Sequence, residues 1–409
     1  MRPLSLARYL PEFGWQSIVL TSKSPEYIDS RFEVVETKLA DSLILIKKLL
    51  KINTQQTLMS QIAQLKRILG IRSSISLFDK LLALIGEVTA YPDFQKGWRR
   101  VATESAHTIF HQNDVRAIIS SSPPVTAHIV AQELKNTFKV PWIADFQDLW
   151  TQNHYYPYSS IRRKKEKRLE LKTLFSADAL VTVSEPITAE LGKLHKDKAV
   201  HSVPIGFNPE EINDTSNRLT QKLTLTYTGN IYPGRQSPEP LFDTLNKLIS
   251  EGNVISEDIE IRFYGTRVNW IDEMANKHGL TSLVKQYGIV DREAAIKKQR
   301  ESQVLLLLKW NDPGQKGVYT AKIFEYLAAK RPILAIGDYK DVVDDLLQET
   351  KAGFSIQRPD ELKDVVLNLY REYKQQGSIT YNGNEIAVNK YSQREMARKY
   401  ATILNGVII

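Results

Sequence analysis

Val304-Leu305-Leu306-Leu307-Leu308 and, one short loop later, Gly317-Val318-Tyr319-Thr320-Ala321-Lys322-Ile323-Phe324-Glu325-Tyr326-Leu327-Ala328-Ala329-Lys330-Arg331-Pro332 decide the fold. The first run is apolar throughout, as a strand buried on both faces is. In the second, Thr320 is an N-cap residue type, Ala321 to Ala329 favours helix, and Arg331-Pro332 stops it ahead of a further apolar run, Pro332–Ile336. Strand, loop, helix and strand make the unit of a parallel sheet. The same alternation extends outward through Leu223–Tyr227 and Ile259–Phe263, and then through Ser17–Thr21, Ala117–Ser120, Trp142–Asp145, Ala179–Val183 and Val200–Val203. Two such series predict an α/β protein of two doubly wound, Rossmann-like domains facing across a crevice. The break is expected at the turn formers Pro204-Ile205-Gly206-Phe207-Asn208-Pro209. Residues 1–205 are then the first domain, 206–385 the second, and 386–409 a C-terminal helix returning to the first.

The composition agrees with two ordinary globular units. The chain has 409 residues, 42% hydrophobic and 25% charged, which is too long for one usual core. It has no cysteine, so disulfides, thiolate metal sites and a cysteine nucleophile are excluded, and a reducing compartment is expected. No apolar run approaches the roughly 20 residues of a membrane span, and the first residues carry no apolar signal core, which predicts a cytoplasmic protein. The net charge is +8, but residues 1–205 hold 28 basic and 20 acidic side chains while 206–409 hold 27 of each. A basic first half beside a neutral second half predicts that the first domain meets something anionic.

Residues 42–88 interrupt the first series. Ser42 to Phe78 carries Lys47, Lys48, Lys51, Lys66, Arg67 and Arg72 and no acid, with apolar residues at helical spacing. Two readings stand: basic amphipathic helices packed on the domain, or an interfacial contact with anionic headgroups on the inner face of the cell membrane. Arg162-Arg163-Lys164-Lys165-Glu166-Lys167-Arg168 is likewise either a solvated helix face or an anion-binding patch.

Three segments can carry chemistry. The helix Ala321–Ala329 opens at the carboxyl end of a parallel sheet, where free N–H groups form an anion site. Lys322 in its first turn opposes the helix dipole unless a phosphate is bound, and Glu325 can accept from ribose hydroxyls; the competing reading is a surface Lys322–Glu325 pair. The loop Gly229-Asn230-Ile231-Tyr232-Pro233-Gly234-Arg235 follows the first strand of the second domain, lets backbone approach a ligand, and supplies Arg235 as a diphosphate clamp. Asp145 and Asp148, in Trp142–Trp150, end a strand of the first domain and either orient an acceptor hydroxyl or cap the next element. The histidines at 107, 111, 128, 154, 195, 201 and 278 lack metal-ligand spacing, and neither Asp-x-Asp, Gly-x-Ser-x-Gly nor a Walker loop occurs. No metal and no cofactor is expected, and a nucleic-acid role would leave the glycine-containing loops idle.

The order of these segments resembles the GT-B-fold glycosyltransferases of family 4, in particular their bacterial surface-polysaccharide branch. The resemblance runs through Arg2-Pro3-Leu4, Leu10-Pro11-Glu12-Phe13-Gly14-Trp15, Ser121-Ser122-Pro123-Pro124, Trp142–Trp150, Ser176-Ala177-Asp178-Ala179, Val203–Asn208, Thr228-Gly229-Asn230, Tyr264-Gly265 and Lys322–Leu327. It implies a nucleotide-diphosphate sugar bound by the second domain and a glycan or lipid-linked acceptor on the first, with retention and without an essential metal. It implies that Glu325 holds the ribose, that Arg235 and Lys322 hold the diphosphate, and that Gly229, Asn230, Gly265, Val290, Tyr319 and Thr320 line the donor site. Asp145 and Asp148 are the catalytic candidates.

Three departures qualify the likeness. The position eight before Glu325 is Gly317, where the pattern has a glutamate. The crevice strand carries Asp145, Gln147 and Asp148 where many relatives have histidine. The family's first strand and Gly-rich loop have no counterpart ahead of Arg2, which predicts unpaired neighbours in the first sheet and points to a late-placed start or a shortened gene. The alternatives are a nucleotide-sugar-binding or partner-binding remnant, and a GT-B epimerase whose acids and histidines have no placement here.

Overall fold

The computed structural model describes residues 2–22, 29, 31–38, 87, 91–212 and 218–408. Lys47, Lys48 and Lys51, with all of the 42–88 insertion except Glu87, lie outside the described residues.

Among the described residues six strands precede the Pro204–Pro209 turn: β1 (Ile18–Ser22), β2 (Glu33–Thr37), β3 (Ile118–Ser122), β4 (Trp142–Phe146), β5 (Ala179–Thr182) and β6 (Ala199–Ser202). Six follow it: β7 (Leu223–Thr228), β8 (Ile259–Tyr264), β9 (Val284–Gly288), β10 (Val304–Leu308), β11 (Ile333–Ile336) and β12 (Gly353–Ile356). The second set forms one parallel sheet in the order β12-β11-β10-β7-β8-β9. Its strand order reverses between β7 and β10, so the loops after these two strands flank a crevice at their carboxyl ends, the ligand position of such sheets.

The apolar run of β10 is explained by its two covered faces. Val304, Leu306 and Leu308 pack with Leu223, Leu225 and Tyr227, while Leu305 and Leu307 pack with Ile323, Tyr326 and Leu327 of the helix Ala321–Ala329. The three strands that the apolar runs did not reveal, β2, β9 and β12, all lie at sheet edges. Edge strands keep one open side, and Val284-Lys285-Gln286-Tyr287-Gly288 alternates buried with solvent-facing residues instead of forming a run.

The first unit's sheet is in two parts. β1 pairs with β2, and β3-β4-β5-β6 form a separate sheet, both parallel. The helix α1 (Arg2–Tyr9) and the last helix, Gln393–Val407, cover β4 and β5 together: Leu6, Tyr9 and Leu10 meet Met396, Ala397, Tyr400 and Leu404 over Ile143 and Val181. The polypeptide thus returns to the first unit after completing the second. The two crossings are stitched by Phe207 N–H donating to the Tyr391 carbonyl (2.9 Å) and Gln393 N–H donating to the Phe207 carbonyl (2.7 Å). Gly206 makes this possible, since it has φ +75° and a Cβ there would stand 2.7 Å from the Ser392 carbonyl carbon.

Candidate donor site and its crevice

The helix Ala321–Ala329 begins in the crevice. Its N-cap, Thr320, has extended backbone but makes no capping bond, and its buried Oγ1 has no hydrogen-bond partner. Lys322, one residue into the first turn, forms no ion pair among the described residues; its ammonium lies 5.3 Å from the centre of the Tyr227 ring. Burial pushes the Lys322 amine below its ordinary range, with Glu325 one turn on acting in the opposite sense. A half-buried cation with no ion pair among the described residues therefore stands in the first turn of a helix, beside its first free amides. That arrangement favours an anion.

The glycine loops shape the floor of this site. Gly229 has φ +105°, and a Cβ there would come within 2.6 Å of Lys322 Cε. Gly265 N–H donates to the Gly288 carbonyl (3.0 Å), and a Cβ on Gly265 would stand 2.3 Å from the Gly229 carbonyl oxygen. Asn230 ties the two loops, its Oδ1 accepting from Thr266 N–H (3.2 Å) and Oγ1 (2.9 Å). Val290 follows β9 beside these loops and is half-buried. Tyr319 packs at a tilt against Phe324, ring centres 5.4 Å apart, and burial raises its phenol to about 12, so it serves as a wall rather than an acid.

Glu325 is held in place. Arg292 Nη1 donates to one of its oxygens (3.2 Å) and Gln299 Nε2 to the other (3.4 Å), while Arg292 also pairs with Glu211 at 2.8 Å. The carboxylate remains about a third exposed, with accepting capacity left. Sequence reasoning missed Arg292 and Gln299. Arg292 follows Asp291, which caps the helix Arg292–Arg300 by accepting from Ala294 N–H (2.7 Å), and only the fold brings that helix against Glu325.

Arg235 is engaged already. Its Nη1 donates to Asp312 Oδ2 (3.0 Å) and to the Tyr155 hydroxyl (2.6 Å), and its guanidinium lies 4.5 Å from the Tyr155 ring centre. Tyr155 belongs to the first unit and also donates to Asp312, while His154 Nε2 stands 3.3 Å from Asp312. This cluster bridges the crevice. A second bridge joins Ser184, whose Oγ donates to the Gly317 carbonyl (2.5 Å). A Cβ on Gly317 would stand 2.9 Å from Ile187 Cγ1, so a side chain there requires Ile187 to shift.

The two first-unit carboxylates part company. Asp145 is fully buried and reaches no crevice: Arg2 Nε lies 3.1 Å from Oδ1, the Tyr400 hydroxyl donates to Oδ1 (2.7 Å), and Ser121 Oγ donates to Oδ2 (2.6 Å). The catalytic expectation for Asp145 is corrected accordingly. It is the internal anchor that fastens α1 and the last helix to β4. Asp148 is solvent-accessible, yet the surrounding protein raises its carboxyl above the usual range. It lies in the loop after β4 that continues to His154 and Tyr155. Among the described residues no group of three histidines or acids is placed to hold a metal, and no helix is long and apolar enough to cross a membrane.

No family model and no curated protein matches the chain. Solved structures do. A glycosyltransferase from Rickettsia africae superposes with TM-score 0.57 at 15% identity, covering 100% of this chain and 94% of that one. Sucrose-phosphate synthase from Thermosynechococcus elongatus gives 0.57 at 12%, over 98% and 91%. HepE from Anabaena, solved in complex with UDP, gives 0.54 at 12%, over 75% and 82%. The chain has the fold of these proteins, two Rossmann-like domains in the GT-B arrangement.

Proposed function

We propose that the chain is a glycosyltransferase, taking a nucleotide-diphosphate sugar on the second domain and transferring the sugar to a glycan or lipid-linked acceptor held by the first. The observation that carries this reading is Lys322, without an ion pair among the described residues at the amino end of Ala321–Ala329, with Glu325 one turn away. A diphosphate fits Lys322 and the helix amides, and a ribose fits Glu325. The UDP of the HepE complex gives the ligand class a precedent in this fold.

In the proposed reaction the bond between the sugar's anomeric carbon and the diphosphate oxygen breaks, and the acceptor oxygen bonds to that carbon on the face the diphosphate leaves. Charge gathers on the departing diphosphate. Lys322 and the helix amides sit where they stabilise it, which lowers the barrier because they act most strongly in the transition state. Asp148 orients the acceptor hydroxyl and takes its proton, its raised carboxyl being a better base than an ordinary aspartate. Retention of configuration, a place in surface-polysaccharide synthesis and work at the inner membrane face belong to the same proposal.

A binding protein without transfer is the second reading, favoured by the sealed position of Asp145 and the crowding at Gly317. Incubation with a panel of nucleotide sugars, following both melting temperature and release of nucleoside diphosphate, separates the two. Transfer or hydrolysis of one donor supports the enzyme, and stabilisation without turnover on any lipid-linked or glycan acceptor supports the binder.

A further inference from the structure

The loops after β7 and β10 carry aromatic side chains beyond those of the donor site. Tyr232-Pro233-Gly234-Arg235 is a turn: Pro233 and Gly234 (φ +70°) fill its central positions, and Arg235 N–H donates to the Tyr232 carbonyl (3.0 Å). The turn is tied to the next loop on both sides of Trp310. Gln236 Nε2 donates to the Leu308 carbonyl (2.6 Å), and Asn311 N–H donates to the Arg235 carbonyl (2.8 Å). Trp310 stacks on Tyr232, with ring centres 5.4 Å apart and planes at 25°, and the Tyr155 ring of the first unit lies 6.2 Å from Trp310. Three rings from three distant segments therefore meet in the crevice, two of them held by backbone bonds that need no ligand. They stay partly open to water: Tyr232 is 49% exposed, Tyr155 38%, and Trp310 is half-buried. Their polar atoms are open too. Trp15, Trp98, Trp142 and Trp150 each donate the indole N–H to a protein partner, whereas Trp310 Nε1 and the Tyr232 hydroxyl have none among the described residues.

An apolar ring wall bordered by free N–H and O–H groups is a ligand surface of a particular kind. A pyranose ring matches it. One face of such a ring presents C–H bonds, which pack on an aromatic surface, and its rim presents hydroxyl groups, which accept from donors at the wall's edge. A nucleobase also stacks on aromatic rings, but the position speaks against it. Trp310 and Thr320 line one small cavity, so the rings adjoin the phosphate end of the proposed donor site. The base of a nucleotide lies at the other end, past the ribose and hence past Glu325. We propose that Tyr232, Trp310 and Tyr155 form a platform for one pyranose ring, with Trp310 Nε1 and the Tyr232 hydroxyl bonding to its hydroxyl groups. This rests on the donor site proposed above, which brings the diphosphate, and the sugar bonded to it, beside Trp310. The ring is the sugar carried by the nucleotide or the terminal sugar of a glycan acceptor, and the recognition chemistry is the same for both.

The test titrates the parent chain, Trp310→Leu and Trp310→Phe by calorimetry with three sets of probes, and melts each unliganded protein to confirm that it is folded. The probes are UDP and GDP, their esters UDP-glucose, UDP-N-acetylglucosamine and GDP-mannose, and a panel of oligosaccharides ending in a pyranose. Tyr232→Leu, at an exposed position, is the second variant if Trp310→Leu does not fold. The platform predicts that Trp310→Leu weakens the nucleotide sugars, or the oligosaccharides, at least tenfold and changes UDP and GDP less than twofold. Trp310→Phe, which keeps an aromatic face, should recover most of the loss. A loss on the nucleotide sugars assigns the platform to the donor's sugar, and a loss on the oligosaccharides assigns it to the acceptor. Equal losses on the nucleoside diphosphates and their sugar esters, or no loss on any sugar, overturn the platform and leave the donor site standing. A folded parent that binds no nucleoside diphosphate overturns the donor site, and the platform falls with it.

Discussion

Gly229 and Lys322 compete for one volume: a Cβ on the glycine would stand 2.6 Å from Cε of the lysine. The loop after β7 and the first turn of Ala321–Ala329 are thereby in close contact, and the lysine ammonium lies 5.3 Å from the Tyr227 ring centre. Gly229→Ala should displace the ammonium and weaken nucleoside-diphosphate binding at least tenfold, by calorimetry. The left-handed φ of +105° adds a stability loss of about 1–2 kcal/mol.

In the proposed donor site Glu325 meets the sugar of the nucleoside, not its phosphates. Glu325→Gln should therefore cost about tenfold in affinity for a nucleoside diphosphate and leave inorganic pyrophosphate unaffected, in paired titrations. Arg292→Met should produce part of the same loss, because it frees the carboxylate from its 3.2 Å bond.

Asp145 separates anchoring from catalysis. Asp145→Asn keeps its shape but removes the charge facing Arg2, and breaking a buried pair on one side costs about 3–5 kcal/mol. Thermal melting should show a large loss, while kcat of the fraction that remains folded stays near that of the parent. Asp148→Asn should do the reverse, with an unchanged melt and kcat lowered about a hundredfold or more.

His128 gives a pH signature. It is fully buried, its Nδ1 lies 2.7 Å from Ser120 Oγ, and burial pushes its imidazole down to about 3 from 6.5. The unfolded chain therefore binds a proton that the folded chain refuses between these values. Stability should fall as the pH is lowered through that window, by up to about 1.4 kcal/mol per pH unit. His128→Gln should flatten this part of the stability–pH curve in urea unfolding at stepped pH.

The fold was legible where strands are buried on both faces. The β10 run and the helix after it exposed the βαβ unit because every position from Val304 to Leu308 is covered and had to be apolar. Edge strands such as β9 escaped notice, since one open side restores polar residues. In the candidate site, Lys322 and Glu325 could be singled out by their place in the first turns of the helix, with a surface pair as the competing reading. Their surroundings could not: Arg292, Gln299, Tyr155 and Asp312 reach the site through tertiary contacts with no short sequence spacing. Asp145 misled for a related reason. A carboxylate at a strand end reads as crevice-facing until α1 and the last helix, some 255 residues away at Tyr400, are seen to cover it.

The donor site is probed with the fewest intervening steps by calorimetric titration of the chain and of Lys322→Ala with UDP and the other common nucleoside diphosphates. Saturable binding of one of them to the parent chain is expected, weakened at least a hundredfold in Lys322→Ala, with the melting temperature of the unliganded protein unchanged or raised. Equal affinity of the two proteins, or no binding of any nucleoside diphosphate to the folded parent, would refute the assignment.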